Sequence, residues 1–276
     1  MTIRLVIIAI LGASAALAAP GIADLIANPV IGRGYRQMYN LDFNEAHNTF
    51  AQWERDHPGD PIGPASNAAA YLFAEFDRLN ILHSEFFVDS SMFHRRPKVT
   101  PDAAVRQAFD QELDKAAKLS DKILLQMPDD PDALFAKILT LGLRADYEAL
   151  IERRDFDALK VIKSSRATAE KLLMIQPNYY DAYLAIGVEN YLFSLKPAPM
   201  RWILQAGGAQ TDHNRGVEDL RLTAEKGLYL NPYARLLLAV AALRDKDIPK
   251  ARDLLSALAR EFPHNRLYAQ ELAQLR

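Results

Sequence analysis

Residues 40–59 of the chain read NLDFNEAHNTFAQWERDHPG. After a short polar turn, the stretch continues without glycine until Pro58 interrupts it. Ala46, Phe50 and Trp53 are separated by four and three positions, so they share one face of an α-helix. Proline ends such a helix because it has no amide hydrogen to donate and its ring clashes with the preceding turn. The stretch therefore predicts an amphipathic helix between a polar turn and a proline.

The same spacing recurs before three further prolines, at Pro128, Pro177 and Pro263. A small residue at the first position allows a neighbouring helix to approach closely, and larger residues at the other positions fill the seam. The prolines are unequally spaced, so we expect helices longer than a uniform repeat, or insertions between them. The residues 12, 8 and 5 positions before each proline are Ala116, Ser120 and Ile123; Ser165, Ala169 and Leu172; and Ala251, Leu255 and Leu258.

A second recurring element is the turn that precedes three of the predicted helices. In each turn an aspartate stands directly before a hydrophobic residue. The aspartate can accept hydrogen bonds from the free amides at the start of the helix, and the hydrophobic residue can fix the angle of the hairpin. The three pairs are Asp42-Phe43, Asp155-Phe156 and Asp247-Ile248.

These residues resemble the tetratricopeptide repeat family. In that family small, large and proline positions recur in the second helix of each repeat, and a glycine recurs in the first. The resemblance implies an all-α fold in which antiparallel helical hairpins stack in a right-handed superhelix. The matching residues here are Gly34, Ala46, Phe50, Trp53 and Pro58, followed after Pro177 by Tyr183 and Gly187.

Two segments break this pattern within a repeat domain that we expect to span residues 19–276. They lie at about residues 89–101 and 196–214, and both are rich in proline or glycine. Such residues interrupt helices and favour turns. We therefore predict two inserted loops.

The first residues have the pattern of an export signal. Arg4 precedes a stretch of apolar and small residues, and Ala16-Leu17-Ala18 matches a small-x-small cleavage site. We predict a signal peptide over residues 1–18, cleaved near Ala18, and a periplasmic or secreted location. The alternative is a retained anchor, but the apolar stretch is short for a spanning helix. No stable membrane span is expected after cleavage.

The composition disfavours several classes of function. The formal net charge is -2 and cations alternate with acids, so we expect no nucleic-acid partner. The chain has no cysteine, which excludes disulfides, thiolate catalysis and cysteine-bound metals. The six histidines lack the spacing of metal ligands, although His83 and His94 meet if the loop between them folds back. Gly207-Gly208 lacks the lysine of a phosphate loop. We therefore expect no cofactor, no metal and no enzymatic activity.

Aromatic residues after Pro177 form the first candidate binding surface. Tyr180, Tyr183, Asn190 and Tyr191 lie on or at the entry of one predicted helix. In repeat proteins the first helix of each hairpin lines the concave surface, where an asparagine can bond the backbone of an extended peptide. The alternative is that Tyr183 and Tyr191 pack at the seams between helices.

The second inserted segment supplies two further candidates, Arg201 and Trp202. Tryptophan and arginine are enriched among residues that dominate protein interfaces. The alternative is that Trp202 packs under the loop as an anchor. The predicted partner-binding residues are thus Tyr180, Tyr183, Asn190, Tyr191, Arg201 and Trp202.

The sequence favours an exported helical-repeat scaffold that binds a protein or peptide partner without catalysis. One alternative is a solute-binding accessory subunit of a transport system, which predicts a closed central cavity lined by aromatics such as Tyr191 and Trp202. Another is a cell-envelope enzyme with a site between the repeats and the inserted loops. An enzyme requires two or more polar groups that converge in one pocket.

Overall fold

A computed structural model describes residues 28–83 and 98–275 of the chain. These residues form twelve α-helices and no strand, which confirms the all-α prediction for this part of the chain. The predicted signal peptide, His94 and residues 89–97 of the first inserted segment lie outside the described residues. The helices are α1 (Pro29–Tyr39), α2 (Phe43–Asp56), α3 (Ile62–Arg78), α4 (Ala103–Gln126), α5 (Pro131–Asp146), α6 (Asp155–Ile175), α7 (Tyr183–Ser194), α8 (Ala198–Ala206), α9 (His213–Lys226), α10 (Asn231–Arg244), α11 (Ile248–Glu261) and α12 (Arg266–Gln274), with a π-helical turn at Tyr147–Glu152 and a 3-10 turn at Tyr180–Ala182.

Neighbouring helices pack in pairs along the chain. The pairs are α1 with α2, α3 with α4, α5 with α6, α7 with α9, and α10 with α11. The first helix of a pair is buried on several sides, as in residues 63–70 of α3, which are all buried. The second helix buries a narrower stripe, such as Ala251, Leu255 and Leu258 in α11. The first helices therefore form the interior, and the second helices form the outside.

Ten of the twelve seam residues predicted from the proline spacing are buried, and Trp53 and Ile123 are half-buried. Ala46 and Phe50 of α2 have no exposed surface. The ring of Phe50 packs against Gly34 of α1, where a Cβ atom would lie 2.3 Å from its Cε1 atom. A side chain at Gly34 would push the two helices apart, which explains the glycine at this position.

Tight turns join the two helices of three hairpins. Leu41, Arg153 and Lys246 each adopt a left-handed backbone, with φ of 65°, 59° and 62°. Asp247 accepts a hydrogen bond from the amide of Lys250 at 3.1 Å, as its predicted capping role requires. The prediction is wrong for Asp42, which makes no capping bond to its own helix.

The two ends of the helical array meet. Tyr35 of α1 stacks on Tyr229 with ring centroids 5.3 Å apart, and the Tyr39 ring lies 5.8 Å from that of Phe262. The Asn265 side-chain amide donates to the carbonyl of Tyr39 at 2.8 Å. One hydrophobic cluster accordingly runs from α1 to α12. Contacts between the first and last helices therefore close the array and cover an interior that an open array would expose.

Polar contacts add to this closure, three of them on the surface and one, His83 with Glu271, largely buried. Each joins a residue of the first three helices, or of the turns beside them, to one near the end of the chain. Surface ion pairs of this kind contribute little individually, so the apolar contacts carry most of the closure. The pairs are Arg36 with Glu261, Asp42 with His264, Asp77 with Arg266, and His83 with Glu271.

The second inserted segment contains a helix and is not only a loop. This helix, α8, lies between α7 and α9 in the chain, and the segment ends at the first residues of α9. None of the helices in the described ranges is both long and apolar enough to cross a membrane.

Candidate functional site

The turns that join successive hairpins line a bowl with a volume of about 680 Å³. Asn28 and Pro29, at the start of α1, also form part of its rim. Carboxylate and aromatic side chains give it its chemical character. We call it the acidic bowl and define it by Trp53, Asp60, Asp130, Asp132, Tyr179 and Tyr229.

Aromatic rings build a rigid wall for the acidic bowl. Phe135 is buried, and its ring lies 4.8 Å from that of Tyr179 and 6.2 Å from that of Tyr229. The Tyr229 hydroxyl accepts a hydrogen bond from the Asn28 amide at 2.8 Å, which ties the start of α1 to the far side of the array. Residues from early, middle and late parts of the sequence thus meet at this wall.

Each of the three carboxylates is held by a hydrogen bond. Asp60 accepts from the Trp53 indole and from the Ile62 amide, both at 2.9 Å. Asp130 caps α5 by accepting from the Ala133 amide at 2.8 Å. Asp132 accepts from the Tyr179 hydroxyl at 3.4 Å. These bonds orient the carboxylates and leave acceptor capacity on each of them.

The ionisable groups of the acidic bowl include three carboxyls close to one another. Desolvation of the Asp132 carboxyl, followed by the charges of Asp130 and Asp60, raises the pKa of Asp132. None of the described residues that line the bowl is lysine, arginine or histidine. A cation placed there would relieve this repulsion, and aromatic faces attract cations as well.

The three carboxylates Asp60, Asp130 and Asp132 were not among the predicted binding residues. A signal was present in the turns: Asp60, Asp130 and Tyr179 each stand two residues after a turn proline. The three residues therefore stand at the same distance from a turn proline, and the fold brings these turns to one bowl.

The predicted binding residues occupy different surroundings. Tyr180 and Tyr183 stack with ring centroids 6.3 Å apart, and the Lys226 ammonium lies 5.0 Å from the Tyr180 ring. The Tyr183 hydroxyl donates to the carbonyl of Pro177 at 3.1 Å. This pair is partly exposed, but it lines neither the acidic bowl nor the central cavity described below.

Asn190 and Tyr191 are buried and hold the second inserted segment against α7. Asn190 donates to the Gln210 side chain at 2.9 Å and accepts from the Asp212 amide at 3.0 Å. Tyr191 packs against Gly216 of α9, where a Cβ atom would lie 2.5 Å from its amide nitrogen. Both side chains pack inside the protein, although a role in partner binding stays a prediction.

Arg201 and Trp202 lie on α8. The Arg201 guanidinium donates to the carbonyl of Lys196 at 3.0 Å. Trp202 is 72% exposed, so it does not pack under the segment as an anchor. The six predicted residues thus form three separate pairs, and no pair shares a described cavity with another.

A smaller cavity of about 90 Å³ lies among the first helices of the hairpins. Its lining is mostly apolar, and it includes Asp146 and Tyr233, whose hydroxyl donates to the carboxyl at 3.3 Å. Burial raises the pKa of Asp146 to about 7. Tyr191 and Trp202, which the solute-binding alternative placed in a central cavity, do not line it.

A second acid at this cavity, Asp181, is hydrogen-bonded to backbone amides. The Asp181 carboxylate accepts from the amides of Leu228, Tyr229 and Leu230 at 2.8, 3.1 and 2.8 Å. It therefore stabilises the entry to α10, and a proton-transfer role would disrupt that turn.

Comparison with protein-family models and with curated proteins finds no match for this chain. Within the described ranges, no group of three or more histidine, aspartate or glutamate side chains is arranged to hold a metal ion.

Proposed function

We propose that this protein is a non-catalytic helical-repeat scaffold of the tetratricopeptide type, and that it binds a protein or peptide partner in the acidic bowl. The convergence of three carboxylates and an aromatic wall, without a lysine, arginine or histidine among the described lining residues, carries the proposal. The apolar start of the chain supports export, so we place this binding in the periplasm or outside the cell.

The chemistry of the acidic bowl favours a positively charged group of the partner. A lysine or arginine side chain, or a free N-terminal amine, can donate to Asp60, Asp130 and Asp132 while its alkyl portion contacts aromatic rings. A charge-assisted hydrogen bond contributes about 1.5–3 kcal/mol. A single basic residue therefore gives modest affinity. The remaining affinity comes from a longer segment of the partner that contacts the rim of the bowl.

Binding of labelled peptides tests this proposal. We expect fluorescence anisotropy to show binding of a short peptide of alternating lysine and alanine, but not of its glutamate counterpart. Asp132→Asn should weaken binding about tenfold, equivalent to about 1.4 kcal/mol, because it removes one charge and keeps an oxygen for Tyr179. Raising the salt to about 0.3 M should weaken it further.

The matched control is Asp114→Asn, which removes a carboxylate that is 62% exposed and lies outside the acidic bowl. Equal weakening by Asp114→Asn would mean that only net charge matters. Binding of the glutamate peptide as tightly as the lysine peptide would refute the proposal.

The central cavity favours a second candidate, binding of a small solute. Its volume of about 90 Å³ is enough for several water molecules, or for a small solute beside the Asp146 carboxyl. Gly142 lines this cavity and has open space beside it. Gly142→Val should therefore fill the cavity and abolish solute binding, while peptide binding at the acidic bowl stays unchanged.

A further inference from the structure

Helix α8 exposes an apolar face. No residue of α8 is buried. Met200, Trp202 and Ile203 are 42%, 72% and 68% exposed, and together they present on the order of 400 Å² to solvent. The largest exposed apolar patch on a soluble monomer typically covers about 300–600 Å² and is often functional.

The polar residues of α8 are bonded to the ends of the inserted segment itself. Arg201 and Gln205 are four positions apart and share one side of the helix. Arg201 donates to the carbonyl of Lys196 at 3.0 Å, and Gln205 donates to the Thr211 hydroxyl at 2.6 Å. The helix is amphipathic, and its apolar side points away from the protein.

Buried groups of α6 and α7 hold the segment in this orientation. Glu189 is fully buried and accepts from the amide of Gln210 at 2.9 Å. Arg166 donates to Glu189 at 2.9 Å and to the carbonyl of Gly208 at 3.2 Å. These bonds fix the end of the segment that follows α8, so the apolar side is held outward.

The inserted segment carries an excess of positive charge, whereas the acidic bowl carries carboxylates. Residues 196–214 contain two cations, Lys196 and Arg201, and one acid, Asp212. Lys163 of α6 adds a third cation, which contacts the carbonyl of Gly207. A cationic surface with a central tryptophan is complementary to an anionic lipid interface, where tryptophan is the preferred aromatic residue.

The size of the patch also favours a lipid surface over a protein. A stable protein interface buries about 800 Å² on each partner, roughly twice the exposed apolar area of α8. A membrane interface needs only a few inserted side chains when cations contact the lipid headgroups.

We propose that α8 docks this protein on an anionic lipid bilayer. Met200, Trp202 and Ile203 insert at the level of the headgroups, and Lys196 contacts lipid phosphates. This contact is independent of the acidic bowl, which stays free for its own ligand.

Tryptophan fluorescence of the full chain tests the docking. The chain has two tryptophans, so Trp53→Phe leaves Trp202 as the only reporter. Vesicles of phosphatidylglycerol and phosphatidylcholine should shift its emission to the blue, and brominated acyl chains should quench it. Pure phosphatidylcholine vesicles should produce at least tenfold weaker binding.

Ile203→Ser in the same background should weaken vesicle binding about tenfold, since it removes one inserted apolar side chain. The matched controls are Leu125→Ser and Met174→Ser, which change apolar residues that are 85% and 79% exposed elsewhere on the surface. Because the first residues of the chain are the same in every variant, their own affinity for lipid cancels in the comparison.

Three results would overturn the proposal. The first is an absence of quenching of Trp202 by brominated lipid. The second is equal loss of binding in the control variants. The third is a blue shift that depends on protein concentration without vesicles, which would assign the patch to a second copy of the chain.

Discussion

The carboxyl of Asp146, which lines the central cavity beside Tyr233, makes the stability of this protein depend on pH. Burial raises its pKa from 3.8 to about 7. The unfolded chain therefore releases this proton at a much lower pH than the folded protein does. Between these two values the folded state binds more protons, so the free energy of unfolding falls as the pH rises. Above about pH 7 the destabilisation is complete.

The size of this destabilisation follows from the shift. Each pKa unit corresponds to about 1.4 kcal/mol, so a shift of about three units costs about 4 kcal/mol. Asp146→Asn removes the titration and keeps an oxygen for the Tyr233 hydroxyl. We expect the variant to be more stable than the natural protein by up to about 4 kcal/mol at about pH 8, and equally stable at about pH 4.

Urea denaturation followed by circular dichroism at several pH values measures this difference. Asp114→Asn, at an exposed carboxylate, is the control and should change the stability by less than about 0.5 kcal/mol at each pH. A difference between Asp146→Asn and the natural protein that stays constant with pH, or that grows towards acid, would refute the reasoning.

Three further substitutions test the packing of the helices. Gly216→Ala would place a Cβ atom 2.5 Å from the Tyr191 amide nitrogen, so it should lower the free energy of unfolding by about 1–3 kcal/mol. Gly142→Ala would meet no atom within 4 Å, so it should raise the free energy of unfolding by about 0.5–1 kcal/mol. Thermal unfolding of the pair compares them, and equal melting temperatures would contradict the close approach of α7 and α9. Asn265→Ala removes the bond to the Tyr39 carbonyl that closes the array, and urea denaturation should show a loss of about 1–3 kcal/mol. An unchanged midpoint would mean that the closure rests on apolar contacts alone.

Local features of the fold were predictable because they depend on neighbours in the sequence. The spacing of Ala46 and Phe50 before Pro58 places them on one helix face, whatever that face later contacts. The capping bonds of Asp130 and Asp247 are likewise made to amides three residues ahead. Helix α8 was not predicted, because its prolines indicated a loop and the helix has only nine residues.

The candidate sites were not predictable in the same way. The predicted binding residues Asn190 and Tyr191 lie on a first helix, which an open array would expose. In the structure they are buried by the inserted segment and by α9. Periodicity identifies the face of a helix on which apolar and aromatic residues recur. It does not distinguish a face that packs inside the protein from one that binds a partner.

The sequence by itself determined that the chain forms helical hairpins with small residues at their seams, since helix periodicity and proline act over a few residues. Only the tertiary structure decided that the array closes, because this depends on contacts such as that of Tyr39 with Asn265, at opposite ends of the chain. The closure also brings Asp60, Asp130 and Tyr229 to one acidic bowl. No local sequence pattern predicts contacts between residues so far apart, because those contacts depend on how every hairpin between them is oriented.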